Sequence, residues 1–133
     1  MTQISSPVTI VFTFNSIDMK KQFTETTWRK DKRFILLCKA LNACKTESDV
    51  ANLLRDIGTL SELQAWSERL DAAQQIAQGL PYRTIAENTG TSTTTVTRVA
   101  SFITSGTGGY KNALNIISGS HHHHATNPLV KSG

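Results

Sequence analysis

A run of short hydroxyl side chains that ends in an arginine lies in the second half of the chain. Four short hydroxyl side chains and one guanidinium follow one another there: Ser92, Thr93, Thr94, Thr97 and Arg98. Short hydroxyl side chains bond phosphates or touch a thymine methyl, whereas arginine contacts phosphate or guanine. The chemistry that this segment could perform is therefore noncovalent binding of nucleic acid.

Two short helices joined by a tight turn would position these side chains. The first helix carries the small Ala86 where the two helices must cross, and Gly90 tolerates the positive φ that the turn requires. The second helix has Val96 and Val99 three positions apart, so one apolar face packs inward and the polar face points outward. This spacing is typical of a helix-turn-helix, whose second helix enters the major groove of DNA. Two ordinary bundle helices joined by a glycine turn are the alternative.

Helical periodicity extends over most of the chain. Apolar residues at i, i+3, i+4 and i+7 predict about six helices between residues 28 and 117, and the fold class is therefore all-α. Thr59 and Glu62 form the S/T-x-x-E pattern of a capping box that opens the longest helix. We predict one domain over 28–117, with an N-terminal arm over 1–27 and a flexible tail over 118–133.

The N-terminal arm has a pattern of its own. Over 8–14, Val8, Ile10, Phe12 and Phe14 alternate with Thr9, Val11 and Thr13. This is the periodicity of a strand, but no second strong strand exists to pair with it. Three interpretations of this segment stay open: an added strand, a disordered arm, or an upstream extension read from a misplaced start. Met19 is the next methionine from which translation could begin.

The formal net charge of +4 is unevenly distributed. Residues 18–45 hold eight bases against three acids, residues 46–78 hold two against six, and residues 79–133 hold four against one. Basic flanks around an acidic middle fit a core element between two surfaces that approach phosphates. Ordinary solvated charge is the alternative, because +4 is modest for a nucleic-acid-binding protein.

Few residues could support catalysis or hold a metal. The only histidines, His121–His124, lie in a Gly/Ser-flanked tail, so we expect no histidine-based nucleophilic catalysis. Cys38 and Cys44 have no second Cys or His pair nearby, which disfavours zinc and excludes a disulfide framework. No run of about 18 apolar residues could span a membrane, and no signal core is present. We expect no enzyme, no cofactor, no metal and no membrane partner, and a bacterial cytoplasmic location.

From Gly79 onward the sequence resembles the Trp-repressor-like YerC/YecD proteins of the tryptophan repressor superfamily. The resemblance covers about residues 34–117 and rests on Tyr82-Arg83-x-Ile85-Ala86-Glu87-x-Thr89-Gly90-x-Ser92-Thr93-x-Thr95-Val96-x-Arg98-Val99 and Gly109-Tyr110-Lys111-x-Ala113-Leu114. It implies a Trp-repressor-like helical bundle that forms an intertwined homodimer. Such a dimer places its recognition helices in successive major grooves of a near-palindromic site on double-stranded DNA.

The resemblance also implies a small-molecule effector site. Thr59, Arg69 and Arg98 align with the residues that hold the corepressor in the tryptophan repressor. Val99 stands where that protein has the glycine that leaves room for the indole, so we expect no tryptophan binding. An ion pair of Arg69 with an acid such as Glu68 or Asp71 on a partner helix is the alternative.

These observations predict a sequence-specific DNA-binding transcriptional regulator, with repression the expected mechanism. The hydroxyl side chains and Arg98 would face the groove, and Arg83 and Lys111 would hold phosphates. Ala100 and Ser101 stand where the family often has two bases, so the second helix carries little charge. That low charge motivates the alternative, a helical dimeric protein-interaction module with weak or no DNA binding.

Overall fold

The computed structural model describes residues 22–122 of the chain. These residues form a short 3-10 helix, Trp28–Lys30, and six α-helices: α1 (Lys32–Ala43), α2 (Glu47–Ile57), α3 (Leu60–Ala77), α4 (Tyr82–Thr89), α5 (Thr93–Ser105) and α6 (Gly109–His122). The described part of the chain contains no strand, and the all-α prediction is confirmed there. The strand-like pattern over 8–14 and the side chains of His121–His124 lie outside the described residues.

The chain divides into two compact units, Met1–Val50 and Ala51–Gly133. The division falls within α2 and therefore inside the single domain that we predicted for 28–117. Between residues 22 and 122, no helix is both long and apolar enough to cross a membrane. Within the same residues, no group of His, Cys, Asp and Glu side chains could hold a metal ion.

The first unit is organised by aromatic contacts around the start of α1. The ring of Phe34 meets Trp28 and Phe23 edge to face, with centroid distances of 5.1 and 5.9 Å. Asp31 caps the helix by accepting the amide of Arg33 at 2.8 Å. Hydrogen bonds from the side chain and backbone of Arg33 lower the pKa of Asp31 to about 2. Phe23 thus packs on α1, although we had placed it in the N-terminal arm.

The core of the second unit lies between α3, α4 and α5. Ala72, Ile85 and Val96 are fully buried in one cluster, and Ile76 and Leu80 pack against it. Because Ala72 has only a methyl group, the two helices after it approach the α3 backbone closely. Helix α3 contacts α4, α5 and α6. It therefore positions the helix-turn-helix region and the last helix.

Capping interactions determine where α3 begins. The amide of Glu62 donates to the hydroxyl of Thr59 at 3.2 Å, and the amide of Thr59 donates to the carboxylate of Glu62 at 2.8 Å. The predicted capping box is therefore confirmed. The amide and then the hydroxyl of Thr59 hold the pKa of Glu62 below its ordinary value.

The last helix is longer than the apolar pattern indicated. We placed the end of the helical region at residue 117, but α6 continues to His122. The segment that we assigned to a flexible tail therefore begins as helix. Polar residues without helical periodicity can extend a helix that is already nucleated, because each added residue gains a backbone hydrogen bond.

Candidate nucleic-acid interface

Helix α4, a three-residue turn and helix α5 form the predicted helix-turn-helix. Helix α4 ends at Gly90, which has φ +72° and ψ 7°, a left-handed conformation that glycine adopts without steric cost. Ser92 then caps α5, because its hydroxyl accepts the amide of Thr95 at 3.1 Å. The turn is therefore fixed by one backbone conformation and one side-chain hydrogen bond.

Apolar burial fixes the rotation of α5 about its own axis. Val96 and Val99 are 0% and 2% exposed, and Ile85 of α4 is fully buried. Ala86 is half-buried against the same core, as the predicted helix crossing requires. Burial of a valine side chain stabilises the fold by about 1.5–3 kcal/mol, so turning the opposite face inward would be costly.

The opposite face of α5 carries the predicted binding side chains, all of them exposed: Ser92, Thr93, Thr94, Thr97 and Arg98. Their hydroxyl groups are not equivalent. The hydroxyl of Ser92 accepts the amide of Thr95 in the helix cap. The hydroxyl of Thr97 donates to the carbonyl oxygen of Thr93 at 2.9 Å. Among the described residues, the side chains of Thr93, Thr94 and Arg98 form no hydrogen bond, so they keep their bonding capacity for a ligand.

Two further predicted residues flank this face. Arg83 lies on α4, where its Nε donates to a carboxylate oxygen of Glu87 at 3.4 Å. Both side chains are strongly exposed, and such a pair contributes about 0–1 kcal/mol, so Arg83 can exchange this partner for a phosphate. Lys111 is exposed in the first turn of α6. The i, i+4 spacing of Arg83 and Glu87 on one predicted helix could have indicated that Glu87 places a competing negative charge beside Arg83.

A cleft of about 570 Å³ lies between α3, α5 and α6. It brings together Arg69 and Arg98, two of the three predicted effector residues, and Val99 also lines it. Thr59 is not among its lining residues, because it lies at the first turn of α3 and its hydroxyl belongs to the capping box. Phe102 and Tyr110 supply aromatic walls to this cleft.

The two guanidinium groups of the cleft have no ion-pair partner among the described residues. Glu68 and Asp71, the acids nearest to Arg69 in sequence, instead accept hydrogen bonds from Gln64 and Gln75 at 2.7 and 3.1 Å. The cleft therefore combines positive charge with apolar walls. The aromatic walls could have been inferred from spacing, because Phe102 lies one helical turn after Arg98.

A family model described as Trp repressor protein matches residues 32–117. The chain belongs to the Trp repressor family. It is 34% identical over 80 residues to the uncharacterized protein YerC of Bacillus subtilis (strain 168), an alignment that covers 60% of this chain and 71% of that protein. The predicted resemblance is thereby confirmed.

A solved structure supports the same family and fold. The TrpR-like protein from Eubacterium eligens ATCC 27750 superimposes with a TM-score of 0.64 at 27% sequence identity, covering 67% of this chain and 92% of that one. The chain is thus a Trp-repressor-like protein that is all-helical over residues 22–122, with the helix-turn-helix of a regulatory DNA-binding family.

Proposed function

We propose that this protein is a sequence-specific regulator of transcription in the bacterial cytoplasm, which binds double-stranded DNA as a homodimer and represses by occupying a promoter. One observation carries the proposal. Helix α5 buries Val96 and Val99 and turns Thr93, Thr94 and Arg98 to solvent with their hydrogen-bonding groups unused within the described residues. A polar face held rigid by a buried one is what base recognition needs.

The electrostatics of α5 suit an approach to phosphate. Its first turn contains no acidic residue, so the partial positive charge at the helix N-terminus is not neutralised. Arg98 is the one charged side chain of the helix, and Arg83 and Lys111 add positive charge from the neighbouring helices. A dimer would bring six such groups, which corresponds to a slope of about −5 for log affinity against log salt concentration.

Exposed apolar side chains of the second unit support a second copy as partner. Leu60, Trp66 and Leu70 of α3 are 66%, 43% and 39% exposed, and Ile116 and Ile117 of α6 are also exposed. Large apolar side chains concentrated on particular helices mark surfaces that a partner covers. Pairing through these helices would make the two α5 helices available to two half-sites about 34–36 Å apart.

The test begins with selection of bound fragments from a random pool of double-stranded DNA, which also reveals half-site symmetry. Affinity for the selected site is then measured by fluorescence anisotropy across a salt series. We expect Arg98→Ala to weaken binding and to reduce the salt slope by about 2, since a dimer loses two phosphate-neutralising charges. Arg98→Lys, which keeps the positive charge at the same position, is the control and should leave the slope unchanged.

An affinity that is insensitive to salt, or unchanged by Arg98→Ala, would contradict the proposal. It would favour the second candidate, a dimeric helical module that binds a protein through the same face. The observation behind this candidate is the low charge of α5, which carries only Arg98. Selection that enriches no DNA sequence would point the same way.

The cleft supports an additional role as an effector site. Arg69 and Arg98 line it together, so two guanidinium groups are available to one anionic group, while Phe102 and Tyr110 offer apolar surface. Because Arg98 also lies on the exposed face of α5, an anion in the cleft would compete with phosphate for it. Val99 narrows the site, so tryptophan is not the expected ligand.

Thermal-shift measurements with a panel of amino acids test the effector role. We expect an acidic or small apolar amino acid to raise the melting temperature of the wild type and not of Arg69→Ala. The absence of any shift would contradict an amino-acid effector without affecting the proposed DNA binding.

A further inference from the structure

We infer that Thr97 recognises a thymine in the major groove through its methyl group rather than its hydroxyl. The inference rests on the proposed DNA-binding function and concerns which base that function selects. It starts from the hydrogen bond in which Oγ1 of Thr97 donates to the carbonyl oxygen of Thr93 at 2.9 Å. Thr97 is nonetheless an exposed residue, so part of its side chain stays accessible.

The hydrogen bond determines which branch of the side chain faces outward. Oγ1 and the Cγ2 methyl leave the same Cβ in different directions, so a hydroxyl turned onto the helix backbone leaves the methyl as the accessible group. The hydroxyl of Thr97 donates its only proton to its own helix, so it no longer donates to a base, although its oxygen can still accept a hydrogen bond. Thr97 therefore presents an apolar tip in the middle of an otherwise polar face.

The position of Thr97 on α5 places this tip where bases are contacted. Thr97 lies four residues after Thr93, the first residue of the helix, and the N-terminal residues of a recognition helix contact base edges. It shares the exposed face with Thr94 and Arg98, while the adjacent Val96 is fully buried. In the major groove the apolar group that a base presents is the C5 methyl of thymine, which threonine methyls contact.

The expected energetic signature is small and specific. Burial of one methyl-sized group is worth about 0.8 kcal/mol, which corresponds to a change of about fourfold in affinity at 1.4 kcal/mol per tenfold. Replacing one thymine of each half-site by deoxyuridine removes the C5 methyl and no hydrogen-bonding group. We expect one thymine position per half-site at which this exchange weakens binding by about fourfold per contact.

Two substitutions separate the methyl from the hydroxyl. Thr97→Ser keeps a hydroxyl able to bond the carbonyl of Thr93 and lacks the methyl, so it should bind more weakly and lose its sensitivity to deoxyuridine. Thr97→Val keeps the methyl and lacks the hydroxyl, so it should retain both the affinity and the sensitivity. Circular dichroism of each variant verifies that α5 is still folded.

Thr104 provides the matched control on the same helix. Its hydroxyl donates to the carbonyl of Ala100 at 3.1 Å, and it lies seven residues, or roughly 10 Å, farther from the helix N-terminus. Thr104→Ser and Thr104→Val should leave both affinity and sensitivity unchanged. The inference is overturned if Thr97→Val loses affinity while Thr97→Ser retains it, or if no thymine position responds to deoxyuridine. DNA selection without any enriched site would instead overturn the proposed function, and this inference with it.

Discussion

Replacement of Gly90 by alanine isolates the contribution of the turn between α4 and α5. Gly90 has φ +72°, in the left-handed region that L side chains rarely adopt. A Cβ added at this position would meet no heavy atom within 4 Å, so the substitution introduces no clash. Its effect is therefore conformational, and the magnitude follows from the backbone alone.

Two opposing free energies set that magnitude. A left-handed alanine costs about 1–2 kcal/mol in the folded state. Alanine also has fewer conformations than glycine in the unfolded chain, which stabilises the folded state by about 0.4–1 kcal/mol. We expect Gly90→Ala to lower the free energy of unfolding by about 1 kcal/mol, which is about 4–8 °C in melting temperature for a domain of this size. Gly90→Asn should cost less, because asparagine tolerates the left-handed region better.

Urea unfolding followed by circular dichroism, at one fixed protein concentration, measures these differences. Gly79→Ala is a matched control, because Gly79 has φ +80° and equally free space but lies outside the turn. Its loss of stability should be similar, whereas only the Gly90 variant should also weaken DNA binding. A Gly90→Ala protein more stable than the wild type would refute the left-handed turn. A loss above about 3 kcal/mol would reveal a clash that the structure does not contain.

Three further predictions concern the cap, the flanking charge and pH. Ser92→Ala should lower the free energy of unfolding by about 1 kcal/mol in urea, because it removes the α5 cap, and an unchanged value would contradict that role. Glu87→Gln should strengthen DNA binding at low salt by releasing Arg83, while changing stability by less than about 0.5 kcal/mol; weaker binding in anisotropy would count against a phosphate contact. The lowered pKa of Glu62 means that its stabilising contribution is complete above the ordinary glutamate value of 4.5 and is lost as pH falls through the lowered one. Glu62→Gln should flatten this part of the pH profile of urea unfolding, and an unaltered profile would show that the capping box does not titrate.

The fold was largely predictable because its signals are local. The capping box at Thr59 and Glu62 and the left-handed Gly90 each depend on a few consecutive residues. The burial of Val96 and Val99 follows from their spacing within one helix. Each of these features was predicted in the right place, and the helical fold was confirmed with them.

The features that escaped prediction depend on contacts between distant residues or on side-chain rotamers. Nothing in the sequence indicates that Phe23 packs on α1, since that requires the chain to fold back across Trp28. The joint placement of Arg69 and Arg98 in one cleft came from family resemblance, not from any pattern in the residues themselves. Likewise, the commitment of the Thr97 hydroxyl to its own helix is a rotamer choice, and composition cannot reveal it.

The small buried core makes folding of this protein depend on its concentration. Among the described residues, five side chains are fully buried, and two of these are alanines: Ala72, Ala73, Ile85, Val96 and Val99. Because so little volume is buried, a single subunit of the proposed dimer would have a low free energy of unfolding. Most of the apolar contact would form only with a second copy. Association and folding would then be a single equilibrium. The stability of the protein would then fall with its concentration, so scarce, newly made protein would be more exposed to proteases than abundant protein.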